Sequence, residues 1–145
     1  MKKLIVCAKE SGNTHKVCRY VASNLDVELK VAGKTTMIDL PSYDVIIVAS
    51  GVYLNRVHKN ILRWINSIEK DTVNPDTKVY LFLTWFGRGE SDEVAFNEVK
   101  QLLRGKGITL EDNYIKCFGG GMGVIKTSHP DEEDCKNVLS WANEL

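Results

Sequence analysis

The chain has 145 residues, 43% hydrophobic and 26% charged, and its 19 Lys and Arg balance 19 Asp and Glu to a formal net charge of zero. This composition suits one globular domain over residues 1–145 and calls for neither nucleic acid nor an anionic membrane as partner. No apolar run reaches membrane-spanning length, and Leu4–Ala8 after Met1-Lys2-Lys3 is too short for a secretory apolar core, so the sequence reads as cytoplasmic without membrane insertion.

In chain order, Leu4–Ala8 (LIVCA) reads as a strand buried on both faces. The turn Ser11-Gly12-Asn13-Thr14 follows, then a helix from near Thr14 with Val17, Tyr20, Val21 and Leu25 on one side. Val27–Val31 (VELKV) mixes polar and apolar residues and suits a sheet edge. Val45–Ala49 (VIIVA) is a second buried strand, and Val57–Lys70 carries Ile61, Leu62, Ile65 and Ile68 at helical spacing. Val79–Leu83 (VYLFL) is a third buried strand. A helix with Ala95, Val99, Leu102 and Leu103 starts at Ser91 and stops at Gly105. A weaker strand lies between Ile108 and Phe118, and "SHPDEEDCKNVL" opens a last helix with Pro130 and the acids after it in the first turn.

Strands alternating with helices, the strongest at positions one, three and four, predict a parallel α/β sheet with right-handed crossovers. The expected architecture is a three-layer α/β/α sandwich around a five-stranded parallel sheet of order 2-1-3-4-5. The first turn has no GxGxxG, which argues against a dinucleotide-binding fold.

Such a sheet binds its ligand beyond the carboxyl ends of the strands, at the switch point between the first and third. Ser11, Gly12, Asn13 and Thr14 stand there, at the mouth of the first helix. Unpaired N–H groups and the helix dipole attract phosphate, Gly12 admits close approach, and the other three offer side-chain donors. Simple capping of the turn is the alternative. The third and fourth strands lead into Ser50-Gly51-Val52-Tyr53-Leu54-Asn55 and Thr84-Trp85-Phe86-Gly87-Arg88-Gly89. Both offer glycine, an aromatic ring and polar backbone, which suits a flat aromatic ligand with a phosphate tail stacked on Tyr53 and on Trp85 or Phe86. The aromatics could equally cover the end of the sheet.

The stretches "KKLIVCAKESGNTHKV", "YDVIIVASGVYLNRVHKNILRWI" and "HPDEEDCKNVLSWANEL" resemble a short-chain flavodoxin-family protein. That resemblance implies non-covalent FMN and transfer of electrons between redox partner proteins, a donor and an acceptor, by a monomer or weak dimer. It places the phosphate on Lys9, Glu10, Ser11, Gly12, Asn13 and Thr14, and the flavin ring between Ser50–Asn55 and Thr84–Gly89. The sequence departs from the family at Cys7, where an aromatic is usual, at Cys18, where alanine is common, and at Lys9, where Ser or Thr is usual. The Lys9 ammonium would replace the missing hydroxyl electrostatically, unless it is a solvated surface group. Flavodoxins are commonly acidic, whereas Lys9, His15, Lys16, Arg56, His58, Lys59 and Arg88 lie in or just after these loops. Positive charge would favour the anionic reduced flavin, so a less negative potential for the fully reduced form is expected.

Four further features have plainer readings. Cys7, Cys18, Cys117 and Cys135 show no CxxC spacing and read as reduced, structural thiols. His58 reads as a helix cap or solvated residue before an acid–base group. "CFGGGMG" (Cys117–Gly123) reads as a connection, and "SHPDEED" as a helix start rather than a metal site. Two rival functions stay open. "GVYLNRVHKNILRWI" also resembles menaquinone-dependent protoporphyrinogen oxidases, FMN enzymes with a longer insertion after the fourth strand. A flavin-free interaction protein on the same fold is the other.

Overall fold

The computed structural model describes residues 1–33, 38–120 and 128–145. Five parallel strands form the sheet: β1 (Lys3–Cys7), β2 (Val27–Val31), β3 (Val45–Tyr53), β5 (Lys78–Trp85) and β6 (Ile115–Phe118). Their order is β2-β1-β3-β5-β6, the expected 2-1-3-4-5 arrangement, and β4 (Arg56–Val57) folds back antiparallel on the end of β3. Among the described residues, α1 (Gly12–Asn24), α2 (Lys59–Ser67) and α3 (Ser91–Arg104) lie between strands, and α4 (Glu132–Glu144) follows the last strand.

Alternation along the central strands builds two cores. Leu4, Val6, Ile46, Val48, Leu81 and Leu83 turn to one face, beneath Ile61 and Ile65 of α2 and Val99 and Leu103 of α3. Ile5, Cys7, Ile47 and Phe82 turn to the other, against Val17 and Val21 of α1 and Val138 of α4. Strands covered on both faces read as unbroken apolar runs for this reason. The mixed sequences of β2 and β6 fall at the sheet edges, where partial exposure tolerates them.

Several boundaries differ from the sequence expectation. β3 continues through Ser50, Gly51 and Val52 to Tyr53, and β5 through Thr84 to Trp85, so the first part of each proposed loop is strand. The extension of β3 is a hairpin in which Val52 pairs Val57 and Tyr53 pairs Arg56, closed by Leu54 (φ 49) and Asn55 (φ 66). Both turn residues are left-handed, as a two-residue hairpin turn of the primed type requires. The last strand is shorter than expected, since only Leu110 bridges to Val79 before pairing resumes at Ile115. α2 is also shorter than Val57–Lys70. Pro130 precedes the first turn of α4 rather than lying in it, because Asp131 is the cap: its carboxylate accepts the Asp134 N–H at 2.9 Å. Of "CFGGGMG", Gly121, Met122 and Gly123 lie outside the described residues.

Candidate functional site

The strand ends bring the first loop and the β3 loop together. Ala8 N–H bonds the Ala49 carbonyl at 3.0 Å, and the Asn60 amide of α2 donates to the Ala8 carbonyl at 2.9 Å. On the other side, the Asn13 amide donates to the Gly120 carbonyl at 2.7 Å, and Thr14 Oγ1 bonds Thr84 Oγ1 at 2.8 Å in a buried contact. Thr84 therefore belongs with the first loop rather than with the aromatic residue beside it, because alternate strand residues face opposite sides of the sheet.

Within the first loop, Gly12 has φ +90, a conformation that a side chain would strain. A Cβ there would lie 3.7 Å from Lys9 Nζ, so the lysine side chain lies folded across the loop with its ammonium beside the helix mouth. Ser11 is the N-cap of α1 by backbone geometry, yet its hydroxyl makes no capping bond, and the first turn holds no acid. Each of the other α-helix starts has either a side-chain cap or acids in its first turn. His58 Nδ1 caps α2, Asp92 and Glu93 stand in the first turn of α3, and α4 has a capping box with three acids behind it. Among the described helix starts, that of α1 combines a cap hydroxyl that makes no capping bond, a first turn without an acid and the Lys9 ammonium, which suits a phosphate.

The hairpin at the end of β3 is fixed from beneath. Ser50, fully buried, donates its hydroxyl to the Gly51 carbonyl at 2.8 Å and accepts the His58 N–H at 2.9 Å. The Tyr53 ring lies over Gly51, where a Cβ would come within 3.0 Å of it, and it meets the His58 ring edge-on at 5.5 Å. Tyr53 is 46% exposed and Leu54 96%. Burial, then Lys9, Lys59 and Arg63, hold the His58 imidazole below its usual range, so it is neutral where it accepts the Asn60 N–H. This is the cap expected of it.

Trp85 is engaged elsewhere. Its ring stacks on Phe118 at 6.2 Å, with the Lys116 ammonium 4.4 Å from its centroid. Lys116 pairs in turn with buried Asp92 at 2.5 Å, which also accepts Tyr114 OH at 2.9 Å. Burial pushes the Asp92 carboxyl up, but Lys116 and Tyr114 together hold it below the carboxylate range. Gly87 (φ +78) is pinned beneath Phe118, whose ring a Cβ would meet at 2.7 Å. Phe86 is half-buried, and Arg88 and Gly89 are exposed. Among the described residues the structure thus gathers Lys9 to Thr14 with Ser50 to Asn55, while Trp85 packs against β6. Arg63, Lys116 and Phe118 escaped the sequence reading of the site, since only the tertiary fold brings them to these loops.

Two other clusters bring chemistry-bearing side chains together. All four cysteines are free and buried, facing the α1 and α4 side of the sheet. A hydrogen bond between Cys7 and Cys18 holds the Cys7 thiol below its usual range and pushes Cys18 above its own, while burial pushes Cys117 up to about 12. His129, Asp131 and Asp134 place ligand atoms within 4.8 Å of one another, but Asp131 and Asp134 cap α4 and His129 Nδ1 bonds Asp134 at 2.7 Å.

A parallel 2-1-3-4-5 sheet with helices on both faces defines a flavodoxin-like α/β protein. Residues 4–124 match the model of the flavodoxin domain, and the chain belongs to that family. It is 25% identical over 156 residues to an uncharacterised protein of Methanocaldococcus jannaschii (MJ0298), covering all of this chain and 98% of that one. Oxidised flavodoxin 1 of Bacillus cereus superposes with a TM-score of 0.70 at 19% identity, over 99% of this chain and 96% of that one. An FMN-dependent NADH-azoreductase from Bacillus anthracis, in complex with FMN, gives 0.66 at 11% identity over 99% of each chain.

Proposed function

We propose that this chain binds FMN non-covalently and carries electrons to a partner reductase. The observation that carries the reading is the α1 start: an uncapped helix mouth with Gly12 at φ +90, an idle Ser11 hydroxyl and the Lys9 ammonium across it. Family membership and the FMN-bound azoreductase on the same fold support it.

In this reading Ser11 and the first N–H groups of α1 hold the phosphate, and Lys9 adds a charge-assisted contact. Ser50–Asn55 and Thr84–Gly89 hold the flavin ring, with the exposed Tyr53 stacking on it. Ser50 and Thr84 act from beneath, because both hydroxyls are buried and already bonded. FMN supplies the one- and two-electron chemistry, and the protein fixes its position and potential. A chain that works this way needs no proton-transfer triad, and His58 is spent as a cap.

The test is the absorption spectrum of the purified protein after desalting, then an FMN titration. A bound flavin spectrum is expected, with Ser11→Ala weakening FMN by roughly tenfold or more, as loss of a hydrogen bond to a charged group does. A colourless protein indifferent to FMN would overturn the reading and leave the flavin-free interaction protein. Turnover of a quinone or porphyrinogen without a protein partner would replace the carrier with an FMN enzyme.

A further inference from the structure

The hairpin tip of the proposed flavin loop has a character that neither the fold nor the phosphate site requires. From Ser50 to Ser67 the chain contains no Asp or Glu, while it contains Arg56, Lys59 and Arg63. Arg56 is neutralised by Glu98, with Nε and NH2 both 3.0 Å from its carboxylate. Lys59 and Arg63 are exposed and bond no carboxylate among the described residues. With Lys9 they lie near enough to His58 to disfavour its protonation. Amid these cations stand Tyr53 and Leu54, the latter 96% exposed and held left-handed at φ 49. A branched apolar side chain at that turn position meets water and steric resistance together, whereas Asn or Gly would meet neither.

We infer that the β3–β4 tip, with Tyr53 and Leu54 at its centre and Lys59 and Arg63 on its rim, is the docking surface for a partner bearing carboxylates around a small apolar patch. Association with such a partner follows charge complementarity, which sets encounter and register, while the apolar centre excludes water. The molecule's net charge is zero, so no overall attraction or repulsion competes with this local field. That the partner is a redox protein rests on the flavin reading above; the sign of the surface does not.

The experiment is isothermal titration of the purified protein with two probes, an acidic plant-type [2Fe–2S] ferredoxin and a basic c-type cytochrome. Each is run at roughly 0.01 M and 0.15 M salt, between which the Debye length falls from about 30 Å to about 8 Å. The acidic probe is expected to bind more tightly, to lose about tenfold in affinity at the higher salt, and to lose a similar factor in the doubly substituted Lys59→Glu, Arg63→Glu protein. Leu54→Ser is expected to weaken it several-fold at both salts, since that contact is not screened. Tighter binding of the basic probe, or an acidic probe blind to the charge reversal, overturns the inference. Circular dichroism and FMN absorbance of each variant separate misfolding and flavin loss from a docking defect. A colourless protein that still prefers the acidic probe leaves this surface standing while removing the flavin reading.

Discussion

Thr14 and Thr84 meet where water hardly reaches, 7% and 5% exposed, and each hydroxyl is the other's partner at 2.8 Å. Removing one strands the other, so Thr84→Val is expected to cost about 1–3 kcal/mol in urea denaturation. The double Thr14→Val, Thr84→Val protein should lose less than the two single losses added together, and strict additivity would show that the bond carries no coupling. Leu54 presents the opposite case, a residue whose conformation works against it. A left-handed non-glycine residue costs roughly 1–2 kcal/mol, so Leu54→Asn is expected to raise the melting temperature. His58 has a folded pKa below its ordinary 6.5, because burial and three cations disfavour its charge and its Nδ1 must accept from Asn60. Protons therefore bind the unfolded chain more readily. The cap's stability is fully present above the unfolded value and is lost as pH falls from there toward the lower folded value. His58→Ser, which keeps an acceptor, should flatten the fall in melting temperature between about pH 7 and pH 5. An unchanged slope would assign that fall to other groups.

At the scale of elements, α1 and α4 make a controlled comparison. Both run for 13 residues, but Asp131 caps α4 through its side chain and Ser11 does not cap α1. Asp131→Ala is expected to destabilise by about 1 kcal/mol. Ser11→Ala should leave the thermal midpoint of the flavin-free protein nearly unmoved while weakening FMN. A large midpoint loss from Ser11→Ala would mean that its hydroxyl serves the helix and not a ligand. The β3 hairpin shows why element ends resisted reading: Ser50-Gly51-Val52 lacks apolar alternation, yet it stays extended because β5 pairs it on one side and β4 turns back on it. The β5 partners Leu83 and Thr84 are distant in sequence, and a local pattern cannot contain them.

For the whole molecule, charge placement matters more than charge total. The sum is zero, yet Lys9, Lys59 and Arg63 converge on the loop after β3, whereas Lys116 is paired with Asp92 and Arg56 with Glu98. The expected consequence for the flavin-loaded protein is a second one-electron potential less negative than that of an acidic flavodoxin, shifted downward again by Lys9→Gln. A redox titration giving a typically very low potential in both proteins would show that these cations lie too far from the ring, or are too well solvated, to matter.

The order of the sheet was legible from the sequence because three uninterrupted apolar runs can only be central strands, and the two mixed ones can only be edges. The place of the turn Ser11-Gly12-Asn13-Thr14, between the first strand and the first helix, was legible too, whereas the sequence left its capping open and only the structure shows that Ser11 makes no capping bond. Tertiary structure alone decided that Thr84 serves the first loop, that Trp85 is committed to Phe118 and Lys116, and that Lys9 shares a surface with Lys59 and Arg63. Periodicity reports which face of an element is buried, but the neighbour across that face comes from another part of the chain, and only the packed fold names it.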